Sequence, residues 1–120
     1  MIKTKSIYEP IHEDDGIRIL ITRYWPRGVK RGRVDRWYND LSPSRKLLHD
    51  FKMGRIDFGL FEKLFIIEMS KNNNADNLCK QIAMELKMGN HVTFLCYEMD
   101  EKNYHRRIIR KFCEDELSKL

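Results

Sequence analysis

Two short stretches hold the side chains that could do chemistry. One is Arg23-Tyr24-Trp25-Pro26-Arg27-Gly28; the other is Cys96-Tyr97-Glu98, followed after six residues by His105-Arg106. Guanidinium groups at Arg23, Arg27 and Arg106 offer forked, charge-assisted hydrogen bonds to phosphate or carboxylate. Trp25 can wall such a site, or stack on a base or an arginine. Glu98 and His105 are the acid–base candidates and Cys96 the candidate nucleophile. Pro26 fixes φ and Gly28 permits a sharp turn, so the arginine loop can be held rigid. Each group also has an ordinary use: Trp25 as a core plug, Arg23 as partner of a carboxylate such as Glu98, Cys96 as an inert buried thiol, His105 as a packed ring.

For these side chains to meet, two strands must end side by side. Ile17 to Tyr24 reads as a strand, with Ile17, Ile19 and Ile21 on one face continued by Arg23, and Leu20 and Tyr24 on the other. Val92 to Tyr97 is a continuous apolar run, as expected of a strand covered on both faces. Cys96 and Glu98, two apart, share a side near its end. A last helix opening near Asp100 and carrying Tyr104, Ile108, Ile109, Phe112 and Leu117 inward puts His105 and Arg106 in its first turns, where backbone N–H groups favour an anion. In α/β proteins ligands bind at the carboxyl ends of strands, so parallel neighbours here would build one crevice.

The other elements follow from pattern. Ile2 to Tyr8 reads as an edge strand with lysines on one side, and Glu13-Asp14-Asp15-Gly16 as a turn. Val34, Trp37, Tyr38 and Leu41 recur at helical spacing and predict a short helix. Ser42-Pro43 reads as a helix start, a capping serine before proline, with Leu47, Leu48 and Phe51 as the buried stripe. Phe58, Phe61, Phe65 and Met69, interleaved with Leu60 and Leu64, describe a helix to about Ser70. Asn74 or Asp76 can cap the next, whose stripe is Leu78, Cys79, Ile82, Ala83 and Leu86 and which Gly89 ends. The order predicts a single α/β domain over residues 1–120, with a small, largely parallel sheet of three to four strands and helices on both faces.

Bulk properties narrow the function classes. The 120 residues carry a formal charge of +5, and positions 23–36 hold Arg23, Arg27, Lys30, Arg31, Arg33 and Arg36 against only Asp35. A second cluster is Arg106, Arg107, Arg110 and Lys111. Both favour phosphate-bearing partners. Three cysteines without CxxC spacing argue against a disulfide framework or a structural zinc site, and no metal site is expected. No apolar run approaches the ~20 residues that span a bilayer, and the N-terminus lacks a signal-peptide core, so a cytoplasmic protein without a membrane partner is expected.

The sequence resembles the YeaO-like family, small bacterial and archaeal proteins of unknown function. The likeness is carried by Ser6-Ile7-Tyr8-Glu9-Pro10, Asp15-Gly16, the block Arg23 to Gly28, Trp37, Leu41-Ser42-Pro43-Ser44, and Phe61 with Phe65 and Glu68. Longer relatives of the wider superfamily end with a leucine-leucine-cysteine-small-glutamate strand and a cysteine-histidine-arginine triplet. Leu95-Cys96-Tyr97-Glu98 and Tyr104-His105-Arg106 look like these, with tyrosine replacing the second cysteine, which argues against a cysteine-based metal or dithiol site. The resemblance implies an α/β fold and a cytoplasmic protein but brings no established activity.

The expected function is binding of, or action on, a phosphate-bearing small molecule or nucleotide at the strand ends. The alternatives are a nucleic-acid-binding module using the basic 23–36 surface with its interleaved aromatics, and a cysteine-nucleophile enzyme of rhodanese or phosphatase type. The last lacks the glycines that would cradle an oxyanion after Cys96. A structural or interaction protein with no small ligand is the remaining possibility. The sequence points to no particular cofactor.

Overall fold

The apolar run 92–96 is the strand around which the chain is arranged. A computed structural model describes residues 2–97 and 105–120. Its strands are β1 (Ile2–Ser6), β2 (Ile17–Leu20), β3 (Arg36–Trp37) and β4 (Val92–Cys96). They form an all-parallel sheet of order β1-β4-β2-β3. Val92 aligns with Ile2 on one side and Ile17 on the other, and Ile19 aligns with Arg36. Every residue of β4 is buried, as expected of a central strand with neighbours on both edges and cover on both faces.

One face of the sheet presents Ile2, Ile19, Ile21, Val92 and Phe94 to a layer of helices: α1 (Arg45–Lys52), α2 (Phe58–Lys71), α3 (Asn73–Lys87) and α4 (His105–Ser118). Leu47, Phe61, Phe65, Ile82 and Ile109 are their principal inward side chains. Phe51 stacks on Phe61 at 4.6 Å between ring centroids, and Phe61 on Phe65 at 6.2 Å. Each such fully buried side chain contributes about 1.5–3 kcal/mol.

Helices were expected on the second face too, and its cover is lighter. Ile7, Leu20 and Leu95 are overlaid by Trp25, Val29 and Val34, from the connection between β2 and β3. That connection, like residues 7–16 between β1 and β2, holds a 3-10 turn in place of an α-helix, Arg31–Arg33 and Glu13–Asp15 respectively.

Toward the amino ends of the strands the same face turns polar. Lys3, Lys5, Arg18 and Thr93 alternate with core residues and therefore share this side. Asp15, 1% exposed, closes the row: it pairs with Lys3 at 2.7 Å, with Lys5 at 3.0 Å and with Arg18. Thr93 Oγ1 donates to Asp15 O at 2.7 Å. Burial alone would raise the Asp15 carboxyl, but hydrogen bonds from Lys3, the His12 N–H, Lys5 and Arg18 outweigh it and hold the group well below the usual carboxylate range.

Three local expectations are corrected. Residues 34–41 form no α-helix: Arg36 and Trp37 pair with β2, and Asn39–Leu41 is a 3-10 turn, so strand pairing overrides the helical spacing. The cap of α1 is Ser44, whose Oγ accepts from Leu47 N at 3.2 Å, while Ser42 Oγ donates to Asn39 O. The cap of α3 is Asn72, accepting from Ala75 N at 3.1 Å. The expected opening of α4 near Asp100, with Tyr104, lies outside the described residues.

Candidate functional site

Past the end of β2 the chain is fixed by polar contacts rather than by strand pairing. Ile21 N still donates to Leu95 O at 3.0 Å. Thr22 Oγ1 then donates to Tyr24 O at 2.7 Å, and Trp37 Nε1 to Thr22 O at 2.8 Å. The Arg23 guanidinium crosses to the start of α1, donating from Nη2 to Ser42 O and Pro43 O, both at 3.0 Å. Among the described residues its partners are thus carbonyls.

This staple shapes a cleft of about 500 Å³ at the carboxyl ends of β2 and β4. One wall is Thr22, Arg23, Tyr24, Tyr97 and His105; the other is α1, through Arg45, Lys46, Leu48, His49 and Lys52. Arg45, His49 and Lys52 follow i, i+4, i+7 spacing, which puts them in one row along the helix. The chain leaves β2 toward the Trp25 face, whereas α4, after β4, packs on the helical face. The cleft therefore sits where connections from neighbouring parallel strands part, the position at which open α/β sheets bind ligands.

Its electrostatics are one-sided. Arg23, Arg45, Lys46 and Lys52 line it, and no Asp or Glu among the described residues does. Walls that exclude water concentrate the field of like charges. The Arg45 guanidinium lies 5.5 Å from the Tyr24 ring centroid, and Tyr97 Oη donates to Tyr24 O at 2.7 Å. His105, 6% exposed, has its Nε2 2.7 Å from Ile21 O. A carbonyl can only accept, so the hydrogen sits on Nε2. The ring also meets Phe65 edge-on at 5.8 Å, so His105 ties α4 to the end of β2.

Of the residues singled out in the sequence, the structure brings Arg23 and His105 together in this cleft. Glu98 lies outside the described residues. Cys96 is fully buried, its Sγ 3.8 Å from Lys5 O. Trp25 covers the opposite face of the sheet, bonded from Nε1 to Val29 O at 2.9 Å and edge-on to Trp37 at 5.6 Å. Arg27 is exposed on its loop, and Arg106 is 2% exposed; neither lines the cleft. The α1 cations went unread in the sequence, although Arg45 and Lys52 stand at i, i+7 and so share one face of the helix. A larger groove of about 790 Å³ runs between α2 and α4, but charges of both signs line it and it lies away from the strand ends. Among the described residues no cluster of His, Cys, Asp and Glu is built to hold a metal ion, and no helix is long and apolar enough to cross a membrane.

Sheet and cleft define a small parallel α/β protein with a cationic crevice where two neighbouring strands end. Residues 2–117 match the family described as the Active DUF488-N3 subclade, and the chain belongs to that family. It is 31% identical over 84 residues to the uncharacterised protein YeaO of Escherichia coli K12, covering 68% of this chain and 73% of that protein. To the uncharacterised protein Rv3073c of Mycobacterium tuberculosis it is 40% identical over 48 residues, 38% of this chain and 41% of the relative. No solved structure matches it.

Proposed function

We propose that the cleft at the ends of β2 and β4 binds a phosphate-bearing small molecule or nucleotide. The observation that carries this is the lining: four permanent cations, Arg23, Arg45, Lys46 and Lys52, with no carboxylate among the described residues. Arg23 is anchored on one side by the Ser42 and Pro43 carbonyls, so part of its ordering cost is met before a ligand arrives. The α1 row supplies charge along the length of the helix, and the exposed Tyr24 ring offers a flat wall.

The other two readings keep fewer of their residues. In the basic 23–36 segment, Arg33 donates to Ile7 O and Glu9 O, and Arg36 pairs with Glu85 at 3.2 Å. Arg27, Lys30 and Arg31 are its exposed cations. A nucleophile at Cys96 would need a route to a thiol with no exposed surface.

The test is thermal melting with inorganic phosphate, pyrophosphate, nucleotides and short oligonucleotides. A ligand at 100 times its Kd stabilises by about 2.7 kcal/mol, which a melting curve resolves. A shift with the small phosphates that Lys52→Ala diminishes is the expected result. No shift with any of them, or a shift with oligonucleotides alone that salt erases, would overturn the proposal.

A further inference from the structure

The outer face of α2 carries an apolar stripe, flanked by the exposed Lys63, where a solvent-facing helix is usually polar. The inner row, Phe61, Phe65 and Met69, is buried in the core, yet Leu60, Leu64 and Ile67 are 44%, 37% and 49% exposed. Spacing of i, i+4, i+7 makes these three one stripe along the helix. Ile66, 40% exposed, lies further round the helix, in the groove beside α4. Contiguous exposed apolar surface marks an interaction site. We propose that the stripe is a homodimer interface, with α2 packed antiparallel on α2 of a second copy across a two-fold axis near Leu64.

Charge identifies the occupant. Each chain carries +5, so two copies repel unless they meet on neutral ground. The helix that bears the stripe supplies it: Lys63 and Lys71 are offset there by Asp57, Glu62 and Glu68. The strand-end cleft, lined by cations, would repel a second copy. The two ends of α2 are complementary as well, with Asp57 as the N-terminal cap and Lys71 in the last turn. In an antiparallel pair Leu60 lies opposite the other copy's Ile67, and Lys71 comes alongside its Asp57. One patch used twice closes the assembly at two chains. The stripe is small beside the about 800 Å² per partner of a standard interface, so association falls in the micromolar range.

Sedimentation of the full chain from micromolar to high-micromolar concentration tests this. A monomer–dimer equilibrium is expected. Leu64→Glu places two carboxylates at the axis and should weaken it about tenfold or more, with the circular dichroism spectrum of the dilute protein unchanged. As a second measurement, Leu64→Cys should give a covalent dimer under mild oxidation, because Cys79, Cys96 and Cys113 are all buried. Lys46→Cys, on the cleft, should not. A monomer at every concentration, or a dimer indifferent to Leu64→Glu, would overturn the proposal. So would a monomer that co-sediments with phosphatidylglycerol vesicles through Leu64, which would make the stripe a lipid-facing surface.

Discussion

Arg23 and Pro43 are joined twice although twenty residues separate them: Nε and Nη2 of Arg23 both donate to Pro43 O, at 3.2 and 3.0 Å. The same guanidinium therefore holds α1 against the end of β2 and presents charge to the cleft. Arg23→Ala should both lower stability, by about 1–3 kcal/mol for the lost charge-assisted bonds, and weaken pyrophosphate binding. Lys46→Ala and Lys52→Ala, on exposed side chains of α1, should weaken binding while leaving the melting temperature of the free protein unchanged. Melting curves with and without pyrophosphate separate the two effects. Full binding by Lys46→Ala and Lys52→Ala together would mean that the α1 row is not part of the site.

Asp15 faces three cations from inside the protein, so its removal should cost far more than loss of a surface pair. Asp15→Asn leaves Lys5 and Arg18 buried without their counter-ion, a change of about 3–5 kcal/mol. The pH dependence follows from the direction of its shift. The carboxyl is held below its ordinary value when folded, so its stabilisation is fully present above the unfolded pKa, about 3.9, and is lost as pH falls through the lower folded value. The stability gap between wild type and Asp15→Asn should be constant from pH 5 to 7, roughly speaking, and should shrink under more acid conditions. Urea melts across this range would show it. A gap that widened on acidification would contradict the assigned pairing.

How far the sequence carried the fold is clear from particular residues. The run 92–96 and the three isoleucines of the second strand announced a buried sheet, because period and composition are local properties. Two of the residues singled out, Arg23 and His105, line the strand-end cleft, and Arg23 stands where the apolar pattern of the second strand ends. Trp25 was misplaced relative to Arg23 because the strand stops at Leu20, and the chain beyond it turns to the other face. Trp37 was read as helical because the strand it joins has only two residues and is held by its partner β2, a non-local contact that spacing does not encode. The Asp15 cluster was missed as a cluster, although Lys3, Lys5 and Arg18 all alternate with core residues. A cationic face in the middle of a sheet demands a counter-ion, and that demand was the available signal.

Gly16 follows Asp15 with φ +66°, and a Cβ there would lie 2.1 Å from His91 O. Backbone on both sides leaves no flexible group to yield: Ile17 N donates to that same carbonyl at 2.9 Å. Gly16→Ala should therefore displace the pairing of β2 with β4 and cost several times the ~1 kcal/mol that positive φ alone imposes. Gly54→Ala is the control, since Gly54 has φ +73° but nothing within 4 Å of its added Cβ. Comparable denaturation midpoints for the two variants would refute the close approach at Gly16.

Cys96 closes the question of thiol chemistry by measurement. Cys79 is 2% exposed, and Cys96 and Cys113 are wholly buried. A hydrogen bond with Cys79, and then burial, push the Cys113 thiol up, away from the reactive thiolate. Native protein should leave all three thiols unmodified by a disulfide reagent over minutes, and all three should react in denaturant. Cys96→Ser keeps a donor for Lys5 O in place of the thiol, so it should retain pyrophosphate binding and most of the stability. Rapid modification of Cys96 in the native state, accompanied by loss of binding, would instead place the thiol within reach of the cleft and return a nucleophilic role to it.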